Sequence, residues 1–435
     1  MKKFNLLFYW SLCTAAACGQ VSPKLQTRIA QQIKEIEPKI IEWRRQFHQY
    51  PELSNHEVKT SAKIAEFLRS LGMEVHYPVA VTGVVGILKG SKPGPVIALR
   101  ADMDGLPITE RNSLPFASKE KAFVDGRETG VMHACGHDSH MAMLMGVAEI
   151  LSKNNNELKG TIKFLFQPAE EGLPPGEEGG AYLMIKEGVL ENPKVDVVFG
   201  LHIQSWLPLG TLAYRSGSLM AAVDGLNIKV KGKGAHGAWP WESIDPIVVS
   251  SQIILGLQTI VSRQTDLTKG AAVITIGSFH AGVRRNIIPE EALLEGTIRT
   301  LEPQTQKAIL EKITLTATKI AESAGASAEV SFNRMYPITS NDPHLTGIML
   351  PSLQRTVGPK NVNEIPPIMG AEDFSFFQQH VPGLFFFLGA NPADMHPDKI
   401  PGHHTPDFMI DERAFLTGTT SLLNLTLDYM FMEKK

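Results

Sequence analysis

The sequence has very little cysteine. It contains three cysteines in 435 residues, and two of them, Cys13 and Cys18, lie in the first twenty positions. A small domain held together by disulfides is therefore excluded, because only Cys135 remains in the body of the chain and one thiol cannot form an internal disulfide. In an oxidising compartment a lone thiol is a liability unless it is buried or coordinated, so Cys135 needs a specific role.

The chain also lacks an excess of positive charge and any low-complexity segment. Lys and Arg total 42 against 45 Asp and Glu, a net charge of −3, which argues against a general nucleic-acid binder. The 37 glycines and 28 prolines are spread along the whole chain. With 43% hydrophobic and 20% charged residues, the composition is that of a globular protein of roughly two to three domains.

The N-terminal apolar run is too short to span a membrane. It covers residues 4–17, follows two lysines and ends in three alanines, and its 14 residues fall short of the ~20 that a membrane-spanning helix needs. This order is typical of a bacterial export signal, so we expect residues 1–19 to be removed and the protein to be periplasmic or secreted. Two alternatives stay open: lipid attachment at Cys18, which would bring the protein to a membrane, and an uncleaved anchor.

Short apolar runs that end in polar residues recur along the chain. Runs of this length suit strands buried on both faces, and we predict such strands at residues 95–100, 161–166 and 195–199. Helical patterns lie around them, at residues 25–49, 54–71 and 138–151, the last with Asp138 or Ser139 as its N-cap. The alternation indicates an α/β fold with a mostly parallel, doubly wound sheet, in which ligands bind at the carboxyl ends of the strands.

The pattern changes from about Gly217. Residues 226–231, 272–279, 292–301 and 328–333 are predicted strands, and 246–263 and 303–323 are predicted helices. The order βαββαβ is that of the ferredoxin-like unit. We therefore divide the chain into an export signal (1–19), a catalytic domain in two parts (20–216 and 334–435) and an inserted lid or dimerisation domain (217–333). The second part should contain a strand at 382–389 and a closing helix at 411–431.

Residue types that bind metals and move protons follow the predicted strands. They are Cys135, His137, Glu170, Glu171, His202, His403 and His404. Thiolate and imidazole suit zinc and neighbouring metals, and adjacent carboxylates repel each other unless cations or solvent intervene. Each has an ordinary alternative role: a buried thiol beside a capping histidine, a solvated acidic loop, a histidine bonded to backbone, or surface residues. Together they supply what a two-metal hydrolytic site requires.

Seven strings carry a family resemblance. They are LRADMDGLP (99–107), HACGHD (133–138), FQPAEEG (166–172), GLH (200–202), GAH (234–236), GAEDF (370–374) and HTP (404–406). The chain resembles the amidohydrolase branch of the aminoacylase/carboxypeptidase metallopeptidase family, which includes hippurate, N-acyl-amino-acid and indole-acetyl-amino-acid hydrolases. The resemblance runs in order from about Ile36 to Leu425. It implies a catalytic α/β domain interrupted by a lid or dimerisation domain.

The resemblance also implies a site for two divalent metal ions: zinc, manganese or cobalt. The metal ligands would be Cys135, which bridges, His137, Glu171, His202 and His404. Glu170 would be the general base that takes a proton from the attacking water and passes it to the leaving amine. That Glu170 is the base and Glu171 the ligand follows from the resemblance, not from their spacing. Asp104 would orient a ligand imidazole.

Three further candidate residues lie on the insertion. The resemblance suggests that His236 polarises the scissile carbonyl, across a dimer in one arrangement, although it could be an ordinary loop histidine. Asn286 and Arg299 would hold the substrate carboxylate, for which arginine is well suited, although Arg299 could be a surface ion-pair partner. The remaining site histidines, His133, His140 and His403, are expected to be structural.

These observations predict a metal-dependent amidohydrolase that cleaves N-acyl amino acids to a carboxylate and a free amino acid, and that forms a homodimer. Two alternatives remain. An exported solute-binding protein would need neither a thiolate nor paired glutamates in its cleft. A dipeptidase or carboxypeptidase of the same family would tend to have Asp where Cys135 stands.

Overall fold

The structure, a computed structural model, describes residues 21–392, 395–396 and 399–432; the predicted export signal, with Cys18, lies outside them. The elements before the predicted insertion are α1 (Pro23–Gln49), α2 (Val58–Ser70), β1 (Glu74–Val79), β2 (Gly83–Lys89), β3 (Lys92–Asp102), β4 (Lys121–Val124), β5 (Arg127–Gly130), α3 (His137–Lys153), β6 (Lys159–Gln167), α4 (Gly180–Lys186), β7 (Val197–Gln204), β8 (Leu212–Tyr214) and β9 (Gly217–Met220).

The next group forms the insertion and its return to the catalytic domain. Its elements are β10 (Ala222–Lys231), β11 (Ala235–His236), α5 (Pro246–Gln264), β12 (Ala272–Ala281), β13 (Ile287–Ile288), β14 (Glu291–Thr300), α6 (Pro303–Ser323) and β15 (Ser327–Tyr336). The elements after it are β16 (Thr339–Asn341), α7 (Pro343–Val357), β17 (Val362–Glu364), α8 (Phe374–Gln378), β18 (Gly383–Gly389) and α9 (Phe415–Phe431).

The central sheet has eight strands in the order β1-β2-β6-β3-β7-β18-β8-β17. The strands β6, β3, β7 and β18 are parallel neighbours and are almost wholly buried where they meet, which explains their continuous apolar runs. Helices α1, α3 and α9 cover one face, and α4 and α8 cover the other. The prediction of a mostly parallel sheet with helices on both faces is confirmed. The antiparallel edge of β1 and β2 was not predicted.

The predicted start of α3 was wrong. Its N-cap is Gly136 rather than Asp138 or Ser139. The Asp138 side chain lies inside the helix. It accepts a hydrogen bond from Nδ1 of His48 at 2.7 Å and forms an ion pair with Arg44 at 3.0 Å. Oδ2 of Asp138 thus ties α3 to α1, while its Oδ1 accepts the backbone N–H of Ser139 at 2.8 Å from within the first turn. Two other boundaries also moved: α2 starts at residue 58, and β7 extends past His202.

The insertion contains a second sheet with the order β12-β14-β10-β15, and all its neighbours are antiparallel. Helices α5 and α6 cover one face and share a hydrophobic core with it, separate from the cores of the central sheet. Alternating burial along β12 and β15 shows that the opposite face is exposed. The chain enters and leaves this unit beside β9 and β16, which pair with each other. The boundaries at 217 and 333 stay a prediction.

Helix α5 is unusually apolar for a helix with a solvent-facing side. By length and composition it is the one described helix that could cross a membrane, a test that core helices of soluble proteins also pass. It buries Val249, Ile253, Leu257 and Ile260 within the insertion. It also exposes Val248 by 54% and Leu255 by 71%. The insertion therefore has an apolar stripe on its outer helix.

Candidate active site

The carboxyl ends of the parallel strands bring polar residues to one edge of the central sheet. Strand β3 ends at Asp102, Glu170 and Glu171 follow the end of β6, and β7 carries His202 near its end. These strands are neighbours in parallel register, so their carboxyl ends meet at the same edge.

The turn before α3 directs Cys135 and His137 toward this edge. Gly136, between them, has a φ of 99°, in the left-handed region that favours glycine. A Cβ at this position would lie 2.4 Å from Cγ2 of Ile203 on β7. Glycine is therefore required for the turn to pass this close to the strand. The thiol and the imidazole then reach the sheet edge from either side of the turn.

The Cys135 thiol lies between two imidazoles. Its Sγ is 3.3 Å from Nε2 of His202 and 3.3 Å from Nε2 of His404. The His404 nitrogen is also 3.2 Å from Oε1 of Glu171. His202 donates its Nδ1 hydrogen to the carbonyl of Ile203 at 2.7 Å, which leaves a lone pair on Nε2. Sulfur, imidazole nitrogen and carboxylate oxygen thus converge, a donor set that suits zinc and neighbouring metals.

One ring nitrogen of His137 is fixed by hydrogen bonds, and the other has no hydrogen-bond partner in the part of the chain that the structure describes. Its Nδ1 donates to Asp104, whose carbonyl oxygen lies 2.9 Å away and whose Oδ1 lies 3.2 Å away. Within the described residues its buried Nε2 makes no hydrogen bond, and carboxylate oxygens of Asp102, Glu171 and Glu170 lie 3.7–3.9 Å from it. A carboxylate on one ring nitrogen with a free lone pair on the other is common in metal-binding histidines.

Buried negative charge dominates the site. Six carboxylates lie in it or directly behind it: Asp102, Asp104, Glu170, Glu171, Glu372 and Asp373. Burial lowers the pKa of His137, but the surrounding carboxylates outweigh burial and raise that pKa to about 10. Burial, Glu171 and Glu170 raise the pKa of the Cys135 thiol. The carboxylates contribute to both shifts, and their negative charge favours cations. Among the described residues, the buried Oε1 of Glu171 and Nε2 of His137 have no hydrogen-bond partner. These residues fit divalent metal ions.

Glu170 stands beside this donor set. Burial, Glu372 and Glu171 raise the pKa of its carboxyl well above the ordinary range, so the carboxylate binds a proton more strongly than an exposed glutamate does. The residue before it, Ala169, has a φ of 52°, and His404 has a φ of 60°. Each such non-glycine conformation costs about 1–3 kcal/mol and is concentrated at functional sites.

A buried ionic network behind Glu170 was not predicted. Arg100 on β3 donates to Asp102 at 2.6 Å and to Glu372, Asp373 and Gln167 at 2.8 Å each. The arginine side chain has no exposed surface, so these partners are what allow its charge to be buried. All five residues occur in the strings that carried the family resemblance. The sequence did contain a signal for this network, because Arg100 lies inside a run that is predicted to be a buried strand.

Two of the three histidines expected to be structural have their ring nitrogens in use. Nδ1 of His140 donates to Asp102 at 2.6 Å, and its Nε2 accepts from the backbone of Ile203 at 2.9 Å. Nε2 of His403 accepts from the backbone of Ser205 at 3.2 Å. His133 is buried with neither nitrogen hydrogen-bonded to a described residue, and burial lowers its pKa to about 4.

The three candidate residues of the insertion lie apart from the thiol cluster. His236 and Asn286 are exposed and are held side by side by the pairing of β11 with β13 and by a 2.9 Å bond from Gly237 N to the Asn286 carbonyl. Arg299 is half-buried on β14. In the described parts of the chain, none of the three forms a hydrogen bond or ion pair with the predicted metal ligands.

The chain is similar to known proteins over most of its length. The sequence profile of peptidase family M20/M25/M40 matches residues 98–428. Thermostable carboxypeptidase 1 of Saccharolobus solfataricus is 43% identical over 412 residues, covering 94% of this chain and 100% of that protein. N-acetylcysteine deacetylase of Bacillus subtilis is 40% identical over 396 residues, covering 91% of this chain and 97% of that protein.

A solved structure gives the same answer for the fold. The Bacillus subtilis YXEP protein, described as a dinuclear metal binding peptidase from the M20 family, superposes with a TM-score of 0.76 at 36% identity. The superposition covers 91% of this chain and 98% of that one. The solute-binding alternative is excluded, because the chain is a metal-dependent hydrolase. It belongs to peptidase family M20/M25/M40.

Proposed function

We propose that the protein hydrolyses the amide bond of N-acyl amino acids with two divalent metal ions. The observation that carries the proposal is the placement of two adjacent glutamates. Both glutamates lie near Nε2 of His137, Glu171 at 3.7 Å and Glu170 at 3.9 Å, and Glu171 also lies 3.2 Å from His404 in the thiol cluster. One carboxylate can thus bind metal while its neighbour moves a proton. The proposed ligands are Cys135, His137, Glu171, His202 and His404, which suit zinc, manganese or cobalt.

Glu170 performs both proton transfers. When bound, two divalent cations lower the pKa of water and polarise a carbonyl oxygen. Glu170 accepts a proton from the attacking water as the water oxygen bonds to the acyl carbon. It then delivers that proton to the amide nitrogen as the carbon–nitrogen bond breaks, so the products are a carboxylate and a free amino acid. The raised pKa of Glu170 suits a group that acts first as a base and then as an acid.

The environment of Arg299 supports the proposal that the leaving group of the amide is an amino acid. Burial lowers the pKa of its guanidinium, and no described carboxylate pairs with it. A half-buried cation of this kind gains most from a carboxylate, which arginine binds through two hydrogen bonds. Asn286, on the same insertion, would add an amide donor. We propose that both bind the substrate α-carboxylate and that His236 polarises the scissile carbonyl.

The names of two relatives support cleavage of an amide bond beside an amino acid. One is a deacetylase of N-acetylcysteine and one is a carboxypeptidase. The carboxypeptidase, at 43% identity, favours a second candidate function, release of the C-terminal amino acid of a peptide. In both reactions the amide nitrogen belongs to an amino acid with a free carboxylate, so the two candidates differ in the acyl group alone.

We further propose that the insertion closes over the site and that two copies of the protein form a homodimer through it. It has its own core and is joined to the catalytic domain where β9 pairs with β16, which allows it to move as a body. Closure would bring His236 and Asn286 to the substrate. The exposed apolar stripe of α5 offers a self-complementary surface for a two-fold dimer, in which His236 could act in the partner's site.

We also propose export to the periplasm or medium, with residues 1–19 removed. The basic start, short apolar run and small residues of the N-terminus support this. Lipid attachment at Cys18 is the alternative. Intact-mass analysis of the protein from its native host distinguishes a processed soluble chain, a lipid-modified chain and an unprocessed one.

The experiment that tests the activity uses a substrate panel with and without chelator. The panel contains N-acetyl and N-benzoyl amino acids, the same compounds with the α-carboxylate converted to an amide, and dipeptides. We expect hydrolysis of the N-acyl amino acids, loss on chelation, recovery with zinc, manganese or cobalt, and poor turnover of the blocked compounds. Preference for dipeptides would favour the second candidate, and turnover that survives chelation would contradict the proposal.

A further inference from the structure

The segment that returns the chain from the insertion to the catalytic domain, residues 334–341, is fixed at both ends. We refer to it as the return connector. At its first end, Arg334 pairs through Nε with Oδ1 of Asp224 at 2.9 Å and donates to Oε1 of Gln306 at 3.1 Å. Gln306 in turn donates to Oδ2 of Asp224 at 2.7 Å. Asp224 lies on β10 and Gln306 on α6, so this end moves with the insertion.

The second end of the return connector belongs to the catalytic domain. Thr339 donates through its hydroxyl to the carbonyl of Glu372 at 3.2 Å. Asn341 donates to the carbonyl of Phe385 at 2.8 Å and accepts from the Phe385 backbone N–H at 2.7 Å. Phe385 lies in the middle of β18, one of the buried parallel strands. This end is therefore anchored to the central sheet.

Tyr336 is the last residue of β15, opposite Val223 of β10, and it contacts the backbone of the proposed base. Its hydroxyl donates a hydrogen bond to the backbone carbonyl of Glu170 at 2.6 Å. A cavity of about 320 Å³ borders the same stretch and is lined by both units, including Arg334, Tyr336 and Phe376. The connector is thus not packed solidly on this side, and a change in the angle of the insertion has space to move it.

The backbone around Glu170 is held by three hydrogen bonds from three places. The N–H of Ala169 donates to Glu57 at 2.8 Å, and the N–H of Glu171 donates to Asp104 at 2.9 Å. Both of these acceptors belong to the catalytic domain. The third bond, to the carbonyl of Glu170 itself, comes from Tyr336 of the return connector. Since Ala169 is in a left-handed conformation, this stretch depends on such bonds to keep its shape.

We propose that Tyr336 is a positioning residue that couples the angle of the insertion to the placement of the Glu170 carboxylate. Closure of the insertion moves Arg334, Arg334 moves Tyr336, and Tyr336 aligns the backbone from which the base projects. Proton transfer would then become efficient only when the lid is closed. This inference rests on the proposed function in taking Glu170 as the base, and it adds how that base is aligned.

The test compares two tyrosines that contact the same phenylalanine. Tyr336→Phe removes the hydroxyl and keeps the ring, so packing is retained. We expect kcat to fall about tenfold or more, as small misplacements of a catalytic group do, with KM changed less than about twofold and metal content unchanged. The matched control is Tyr182→Phe, because the Tyr182 ring lies 5.7 Å from that of Phe376 and the Tyr336 ring lies 6.3 Å from it. The control should keep wild-type kcat.

A double-mutant cycle tests the route. Arg334→Met should lower kcat, and in the Tyr336→Phe background it should lower kcat little further, because both changes interrupt one chain of contacts. Independent effects that multiply would show that Arg334 does not act through Tyr336. Wild-type kcat in Tyr336→Phe, or an equal loss in Tyr182→Phe, would overturn the positioning role.

A readout without substrate separates this inference from the proposed activity. Hydrogen–deuterium exchange of the peptide that contains residues 168–172 should be faster in Tyr336→Phe than in wild type and unchanged in Tyr182→Phe. Faster exchange in an enzyme that hydrolyses no N-acyl amino acid would keep the positioning role and reject the proposed substrate. Unchanged exchange in Tyr336→Phe would reject the positioning role whatever the substrate is.

Discussion

The catalytic domain and the insertion hold their polar residues in opposite ways. At the sheet edge, Cys135, His137 and Glu170 are buried and fixed by parallel strands and a glycine turn. On the insertion, His236 and Asn286 are exposed on a two-residue ladder. The buried residues belong to the candidate metal site and its proposed base within one chain, whereas the exposed pair lies apart from them. The side chains that rest on the rigid sheet are already close together, whereas in the proposed mechanism His236 and Asn286 would need motion or a second subunit to reach a substrate.

The electrostatic states of the two regions differ as well. The carboxylates at the sheet edge outnumber the one buried cation beside them, Arg100. Their negative charge raises the pKa of His137 to about 10. The insertion has the reverse condition at Arg299, a half-buried cation without a described carboxylate partner. One region gains from added cations and the other from an added anion. A metal pair and a substrate carboxylate would satisfy both.

The largest effect is expected from the buried base. Glu170→Gln should retain both metals and lose activity by about 10²–10⁴-fold or more, because the amide cannot transfer the proton. Elemental analysis beside kcat decides this. The adjacent residue is the control: Glu171→Gln should lose activity through loss of metal. If the Glu170→Gln enzyme stayed active, Glu170 would not be the general base, and the proposed division of roles between the two glutamates would be wrong.

A loss of about 10²–10³-fold in kcat is expected from His236→Ala, the size observed when one donor to a developing oxyanion is removed. Because His236 is exposed and lies apart from the thiol cluster, it reaches a substrate either by closure of its own insertion or in the site of a partner subunit, and we predict the second. Mixing His236→Ala with Glu170→Gln under conditions of subunit exchange should restore activity, because one site of the mixed dimer then has both groups. A mixture as inactive as its components would show that His236 acts within its own chain or not at all.

The thiol should decide metal affinity rather than proton transfer. Cys135→Ser should weaken metal binding by about 100-fold, because a serine hydroxyl does not ionise as a thiol does on coordination. Titration with a competing chelator measures this. In the wild type, Cys135 should resist a disulfide reagent while metal is bound and react after chelation. Equal reactivity in both states would indicate an ordinary buried thiol.

Most of the fold was predictable because its signals are local. Continuous apolar runs marked β3, β6 and β18, and alternating runs marked the half-exposed strands of the insertion. Helix α6 begins and ends where the sequence indicated. The antiparallel strand β1 was missed because it lies at the sheet edge, where half of its residues are exposed and no continuous apolar run marks it. The N-cap of α3 was misplaced because Asp138 has distant partners on α1, which no local pattern contains.

The sequence named the side chains that the structure brings together at the sheet edge, and their roles stay a prediction; it did not name the residues that support them. The strings that carried the resemblance named the residues that now converge on Cys135. They gave no role to Arg100, Glu372 or Tyr336, because those roles depend on contacts between segments more than 150 residues apart. The position of His236 relative to the site was equally beyond the sequence, since it depends on how two separately packed units face each other.

The smallest effect is expected where a buried cluster already has its own cation. Burial and Arg44 lower the pKa of His48, but hydrogen bonds to Asp138 and Glu110 outweigh them and raise it above 6.5. A raised pKa stabilises the folded state fully below pH 6.5, and this contribution is lost as pH rises through the folded-state value. The difference in unfolding free energy between wild type and His48→Gln should therefore be larger at pH 6 than at pH 9. Urea unfolding at both pH values measures it, with His76→Gln as the control, because the His76 side chain is 55% exposed and its pair with Glu74 contributes little. A difference that grows with pH would mean that His48 is neutral in the folded protein. His48 would then not be the cation of this cluster, and the cluster, like the proposed metal site, would depend on a cation from elsewhere.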